Sequence, residues 1–250
     1  MSPPPVPAVV RRFAAGRPVR AVWVNEEGGA TFRVGPTGSG VSGAEFIKVA
    51  NANGAGFAGE AERQRWAARY VTVPRVLGWG TDGHCAWLRT GGLAGLSAVH
   101  PRWLAAPDAA VRAIGAGLRA LHDRLPVRAC PFDWSVGSRM AGLTPARRRR
   151  LGGPPPIDRP VVCHGDACSP NTLIDDDGRC CGHVDLGELG VADRWADLAV
   201  ATLSLGWNYP CRVWDAEFFA AYGVEPDPAR IDYYRRLWRS SDENEDTGSR

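Results

Sequence analysis

Residues 161–197 read VVCHGDACSPNTLIDDDGRCCGHVDLGELGVADRWAD. A short apolar run ends in His164, Gly165 and Asp166, Asn171 follows five residues after the aspartate, and a second strand-like run, CCGHV, ends in Asp185. A hydroxyl that is to act as a nucleophile needs a carboxylate to orient it and accept its proton, and Asp166 suits that task. A phosphoryl group in transit carries negative charge that hard oxygen ligands around Mg²⁺ help neutralise. Asn171 and Asp185 supply such ligands from two neighbouring loops. A lone HGD reads equally well as an aspartate-rich turn capping a strand. The three residues in this order instead favour a catalytic loop followed by a metal loop.

Lysine occurs once in the chain, as Lys48 in the strand-like segment AEFIKVA, and arginine serves at every other basic position. A position that keeps lysine against such a bias calls for a compact ammonium on a slim stem, which the wide guanidinium fork does not replace. A strand lysine that reaches the α- and β-phosphates of ATP and is held by a helix glutamate fits that requirement. Phe46, Ile47, Val49 and Ala50 flank it, so burial is expected, and a buried ammonium needs an anionic partner. The helical segment GEAERQRWAARYV offers Glu60 and Glu62, which lie about 200° apart around a helix. The turn NEEGGA carries Gly28 and Gly29, whose main-chain N–H groups can approach a phosphate closely.

Taken together, these segments resemble the aminoglycoside 3'-phosphotransferase family of antibiotic kinases. The resemblance runs from about residue 25 to residue 238 through VNEEGGATFRV, FIKVA, GEAERQRW, VPRVLGWG, ALHDRLPVRACPFD, VVCHGDACSPNTLIDDDG, GHVDLGELGVADRWADLAVAT and AAYGVEP…IDYYRRLW, in the family's order. It implies an α+β, bilobal protein-kinase-like fold with an N-terminal antiparallel sheet plus helix and a larger, mainly helical C-terminal lobe. It also implies ATP and Mg as cofactors and a hydroxyl of a small molecule, an aminoglycoside above all, as acceptor. By position, Asp166 resembles the catalytic aspartate, Asn171 and Asp185 the metal ligands, and Lys48 with Glu60 the ion pair. Phe46 falls where an aromatic ring stacks on adenine, and main-chain atoms of Thr90 and Gly92 fall at the hinge that meets the adenine edge. The expected division is a nucleotide-binding lobe over 1–89, a hinge over 90–92, a catalytic and acceptor-binding lobe over 93–239 and a disordered tail over 240–250.

Several positions depart from the family's pattern. Glu27 stands where a small polar residue is common beside the phosphates. Trp238 and Arg239 stand where two acids are expected, Ser169 occupies a position that is often acidic, and Glu188 replaces a common arginine. Only residues 134–163 separate CPFD from HGD, where the family carries a longer helical insertion, so a more open acceptor pocket is expected. These departures favour weaker attraction for a polycation. They also leave room for a kinase of another small molecule, or for a nucleotide-binding regulatory protein of low turnover.

Length and composition are compatible with this reading. A chain of 250 residues, 44% hydrophobic, can form two lobes with a core each. Its net charge of +3 points to neither a nucleic-acid stripe nor a membrane surface. Seven cysteines, an odd number with one adjacent pair and no CxxC, argue for reduced thiols and a cytoplasmic protein. Strands are expected near 20–24, 30–34, 45–50, 75–79 and 85–89, interrupted by a helix near 59–70. Val111, Ile114, Leu118, Leu121 and Leu125 recur at helical spacing and predict an amphipathic helix. Asp193 and Asp197 flank a helix start and are expected to cap it or to bond the main chain of the HGD loop. His164 is read as a packed loop histidine, His183 as an ordinary strand residue, and Arg147 to Arg150 as a solvated helix end.

Overall fold

The computed structural model describes residues 4–24, 29–36, 43–52, 56–83 and 85–242. It divides into two compact units, Met1–Leu96 with Gly182–Gly187, and Ser97–Cys181 with Glu188–Arg250. Each is built on its own apolar core.

The first unit opens with helix α1 (Ala8–Ala14), followed by strands β1 (Val19–Val24), β2 (Ala30–Val34) and β3 (Glu45–Asn51), helix α2 (Ala58–Ala67), and strands β4 (Val76–Asp82) and β5 (Cys85–Gly91). The strands form one antiparallel sheet of order β1-β2-β3-β5-β4. In β2, Ala30, Phe32 and Val34 are buried and alternate with Thr31 and Arg33, the period of a half-buried strand. Ile47 and Val49 of β3 continue that face, which packs against Val9, Val10 and Ala14 of α1. Phe46 and Lys48, at the alternate positions of β3, therefore share the opposite face. Helix α1 lies in an opening stretch for which no helix was anticipated. Its C-terminal cap, Ala15, has φ 48° and is followed by Gly16 at φ 83°.

Glu45 at the start of β3 ties this sheet laterally. Arg89 of β5 donates to both of its carboxylate oxygens at 2.8 Å, and Arg17 adds a third contact at 3.1 Å. The Arg89 hydrogen bond is the largest influence on the carboxyl. Against the cost of burial, the two guanidinium groups lower it to about 2.

The first unit extends beyond the expected limit at residue 89 and also takes in the segment carrying Asp185. That segment packs closely here: His183 N–H donates to Thr72 O at 3.3 Å, and a Cβ on Gly182 would come within 2.9 Å of Leu93 Cδ1. The expected hinge residues Thr90 and Gly91 are still part of β5.

The second unit contains β6 (Leu96–Ser97), α3 (Pro101–Leu104), α4 (Pro107–Arg124), α5 (Val136–Ala141), α6 (Pro145–Leu151), β7 (Pro160–Cys163), β8 (Thr172–Ile174), β9 (Cys180–His183), β10 (Gly190–Asp193), α7 (Trp195–Asn208), α8 (Asp215–Tyr222) and α9 (Pro228–Asp242), although Leu96 and the last two residues of β9 fall in the first. The predicted apolar stripe of α4 is buried throughout, Leu125 included. Strands β7 and β10 pair antiparallel with Cys163 opposite Gly190, which fixes where the chain leaves β7 for the HGD turn. Helix α7 is buried along nearly its whole length, and α9 runs to Asp242, three residues into the stretch expected to be disordered. Arg147 to Arg150 lie on α6, where Thr144 Oγ1 accepts the Arg147 N–H, and Arg149 and Arg150 are exposed. Among the described residues no helix is long and apolar enough to cross a membrane.

Two outcomes follow from these packings. A Cβ on Gly115 of α4 would lie 2.7 Å from Phe218 O and 2.9 Å from Ala221 Cβ of α8. Gly115→Val should therefore destabilise the protein by about 1–3 kcal/mol in urea unfolding, whereas the same change at Gly142, which has nothing within 4 Å, should introduce no such clash. Glu45 has a folded pKa below its unfolded value, so its stabilising contribution is complete above about pH 4.5 and is lost as pH falls towards about 2. Glu45→Gln should flatten that part of the stability–pH curve.

Candidate active site

In the first unit the single lysine is held by two acids. Lys48 Nζ donates to Glu60 Oε1 at 2.7 Å and to Asp185 Oδ1 at 2.6 Å. Glu60 is thus the helix partner, and Glu62 lies exposed on α2. Burial is the largest influence on the Lys48 ammonium and acts to lower its pKa, but Asp185 and Glu60 outweigh it and hold it above the ordinary lysine value. Asp185 has φ 64°, a left-handed backbone that residues other than glycine adopt seldom and that clusters at functional sites. Only Oδ1 of its carboxylate meets Lys48, so Oδ2 is available to another cation.

Phe46 is half-buried in β3 and stands opposite Thr90 of β5, while Lys48 stands opposite Leu88. The aromatic ring and the ammonium therefore lie two residues apart on one face of the sheet. The Gly92 N–H donates to Ala44 O at 2.9 Å, which occupies one of the two main-chain groups that Gly92 was expected to offer a purine. Gly29 is buried immediately before β2. Gly28, together with Glu27, lies outside the described residues.

In the second unit Asn171 holds Asp166. The Asn171 Nδ2 amide donates to Asp166 Oδ2 at 2.9 Å and to Asp166 O at 3.0 Å, leaving the Asn171 amide oxygen to face elsewhere. Asp166 Oδ1 is buried and has no hydrogen-bond partner, an arrangement that costs free energy unless a donor or cation arrives. The turn before it is shaped by Gly165 at φ 88°, where a Cβ would lie 2.2 Å from Glu188 O. Only glycine fits there. His164 is buried, and its Nδ1 accepts the Asp166 N–H at 3.3 Å.

Asp197 of α7 braces this turn from beneath. It is fully buried and accepts the His164 N–H at 2.6 Å, the Gly165 N–H at 3.0 Å and His122 Nε2 at 2.9 Å. Burial is the largest influence and pushes its pKa up, yet His122 and the loop amides prevail and hold it below the usual aspartate value. His122 is itself fixed by Tyr222, 2.8 Å from its Nδ1; burial pushes the Tyr222 phenol up to about 12, so it stays a donor. Cys163 lies close enough to His122 and Asp197 to suggest a metal triad. Both His122 nitrogens and both Asp197 oxygens are already engaged within the protein. Asp193 accepts from Asp158 N and Trp195 N and pairs with Arg230, a capping role at the start of α7.

The departures on the acceptor side have distinct fates. Ser169 is fully buried, with Ser204 Oγ of α7 accepting its N–H at 2.8 Å and lying 3.2 Å from its Oγ. Arg139 of α5 is nine-tenths buried; its guanidinium lies 4.7 Å from the Trp134 ring and 6.0 Å from that of Trp238, and none of its three nitrogens has a hydrogen-bond acceptor. Burial, the largest influence, lowers its pKa, partly offset by neighbouring groups that include Glu188 and Asp197. His122, Ser204 and Asn208 went unmarked in the sequence. His122 sits within the quoted ALHD, one residue past Leu121 of the apolar stripe, and that adjacency was its only signal.

A sheet-borne lysine–glutamate pair, a left-handed aspartate beside it, and an asparagine-held aspartate in a braced turn are the groups that the sequence led one to expect of a phosphotransferase with a kinase-like fold. Residues 141–234 match the model of the phosphotransferase enzyme family. An aminoglycoside 3'-phosphotransferase of Streptomyces fradiae is 34% identical, covering 72% of this chain and 77% of that one. A streptomycin 3''-kinase of Streptomyces griseus is 31% identical, covering 95% and 98%. Among solved structures, the aminoglycoside phosphotransferase APH(3'')-Id of Streptomyces rimosus superposes with a TM-score of 0.72 at 26% identity, covering 93% of this chain and 96% of that one. The same enzyme in complex with ADP and streptomycin gives a TM-score of 0.65 at 27% identity, covering 85% and 90%. The chain belongs to the aminoglycoside phosphotransferase family. It is a nucleotide-using enzyme that acts on small molecules.

The brace makes a specific demand. Asp197→Ala would leave His122 and two loop amides without their acceptor inside the fold. It should cost about 2–5 kcal/mol in chemical denaturation, since each buried donor left unpaired costs roughly 1–3 kcal/mol, and retention of wild-type stability would remove Asp197 from this role.

Proposed function

We propose that the protein transfers the γ-phosphate of ATP, with Mg²⁺, to a hydroxyl of an aminoglycoside. The observation that carries this reading is Asp166: one carboxylate oxygen is held by Asn171 and the other is buried without a partner, in a turn fixed by Asp197. A carboxylate so placed can accept a hydrogen bond from an acceptor hydroxyl and take its proton as the phosphoryl group arrives. Lys48, kept charged by Glu60 and Asp185, would contact the α- and β-phosphates, with Phe46 against the purine, Gly28 and Gly29 along the triphosphate and main-chain atoms of Thr90 and Gly92 at the purine edge.

The donor set suits Mg²⁺. Asp185 keeps Oδ2 and Asn171 keeps its amide oxygen, both hard oxygen ligands, and sulfur ligands are absent from the set. When bound, the ion would screen the phosphate oxygens against one another and against the attacking hydroxyl. The relatives named as acting on streptomycin and other aminoglycosides supply the acceptor class, and streptomycin is the first acceptor to try.

Asp166→Asn should lower turnover by several orders of magnitude while ADP affinity changes little, measured by coupled ADP release and calorimetry. Near-normal turnover in this variant would exclude Asp166 as the base. Lys48→Arg keeps the charge but not the compact ammonium, so turnover should fall at least about tenfold. Wild-type kinetics there would show that the lone lysine has no phosphate role.

A further inference from the structure

Trp207, in the last turn of α7, is 59% exposed. Four indoles in this arginine-rich chain already carry a close guanidinium: Arg212 lies 3.8 Å from the Trp214 ring, Arg65 4.2 Å from Trp79, Arg102 4.7 Å from Trp103, and Arg139 4.7 Å from Trp134. Among the described residues, neither a cation nor another ring lies against Trp207. The turn that carries it is joined to the catalytic loop. Ser204 Oγ accepts the Ser169 N–H at 2.8 Å, and Asn208 Nδ2 donates to Ser204 Oγ at 3.1 Å and to Ser204 O at 2.8 Å. Ser169 is three residues beyond Asp166. On a helix, positions 207 and 208 lie on either side of the line through 204, so Trp207 stands beside the ridge that meets the loop.

We propose that Trp207 is an acceptor-binding residue, presenting its indole face to an amino-sugar ring of the substrate. This rests on the functional reading above and adds how the acceptor is held. A pyranose offers a face of C–H groups that packs on an aromatic plane, and an ammonium on the same ring is drawn to the indole quadrupole, for which tryptophan is the strongest natural partner. Where family members are expected to use carboxylates, this chain places Ser169 inside the fold and has Trp238 and Arg239. An aromatic platform recognises a cation without a formal negative charge, and its attraction is of shorter range than that of an ion pair, so it is little screened by salt.

The test compares wild type with Trp207→Ala, Trp207→Phe and Trp207→Tyr, using streptomycin as the acceptor probe. In Trp207→Ala the KM for streptomycin should rise about 3- to 30-fold, the range for losing a cation–π contact. The KM for ATP should move less than about twofold on the same scale. Phe and Tyr should restore most of the loss, and N-acetylated kanamycin should be less sensitive to the alanine change than kanamycin. An unchanged KM for streptomycin in Trp207→Ala, or a parallel rise in both Michaelis constants that Phe does not rescue, overturns the proposal. If the wild type phosphorylates no aminoglycoside, the functional reading fails separately. The platform is then decided by streptomycin quenching of tryptophan emission: quenching lost in Trp207→Phe supports it, and equal quenching in both proteins overturns it.

Discussion

Asp197 is the constraint on which the second unit depends. A carboxylate without solvent contact is tolerated only when its oxygens are filled, and here two loop amides and an imidazole fill them. Because the donors come from the HGD turn and from α4, with α8 reached through Tyr222, one buried charge sets the relation of three helices to the turn carrying Asp166. The desolvation cost is met by short, charge-assisted bonds. A loop held in this way needs little reorganisation, which is what the base proposed at Asp166 requires.

The strands, α2, the stripe of α4 and the order of acid, amide and acid were legible because each rests on a local rule. Alternation marks β2 and β3, three-and-four spacing marks α4, and short separations place Asp166, Asn171 and Asp185 at strand ends. The choice of Glu60 over Glu62 came from the family resemblance and agrees with the contact formed. What stayed hidden depends on tertiary partners. Helix α1 has only seven residues, and its helicity is supported by Val9, Val10 and Ala14 packing on the sheet. His122 became a site residue only when Asp197 arrived from 75 positions away. The attachment of residues 182–187 to the first unit depends on Thr72 and Leu93, and no local spacing encodes it.

The acceptor-side departures change meaning once burial is known. Ser169, at a position read as often acidic, is an internal residue bonded to α7, and a carboxylate there would be buried against Ser204 rather than presented to a substrate. Arg139 shows the reverse case. Its guanidinium lies 4.7 Å from one indole and 6.0 Å from another with no acceptor for its nitrogens, so it contributes cation–π and dispersion contacts rather than an ion pair.

The rarity of lysine has a practical consequence. Lys48 bears the only side-chain amine in the chain, and two carboxylates hold it protonated, the form that does not attack electrophiles. Acylating dyes and amine-directed cross-linkers should therefore react slowly at residue 48, and any labelling there would report directly on release of its two acids.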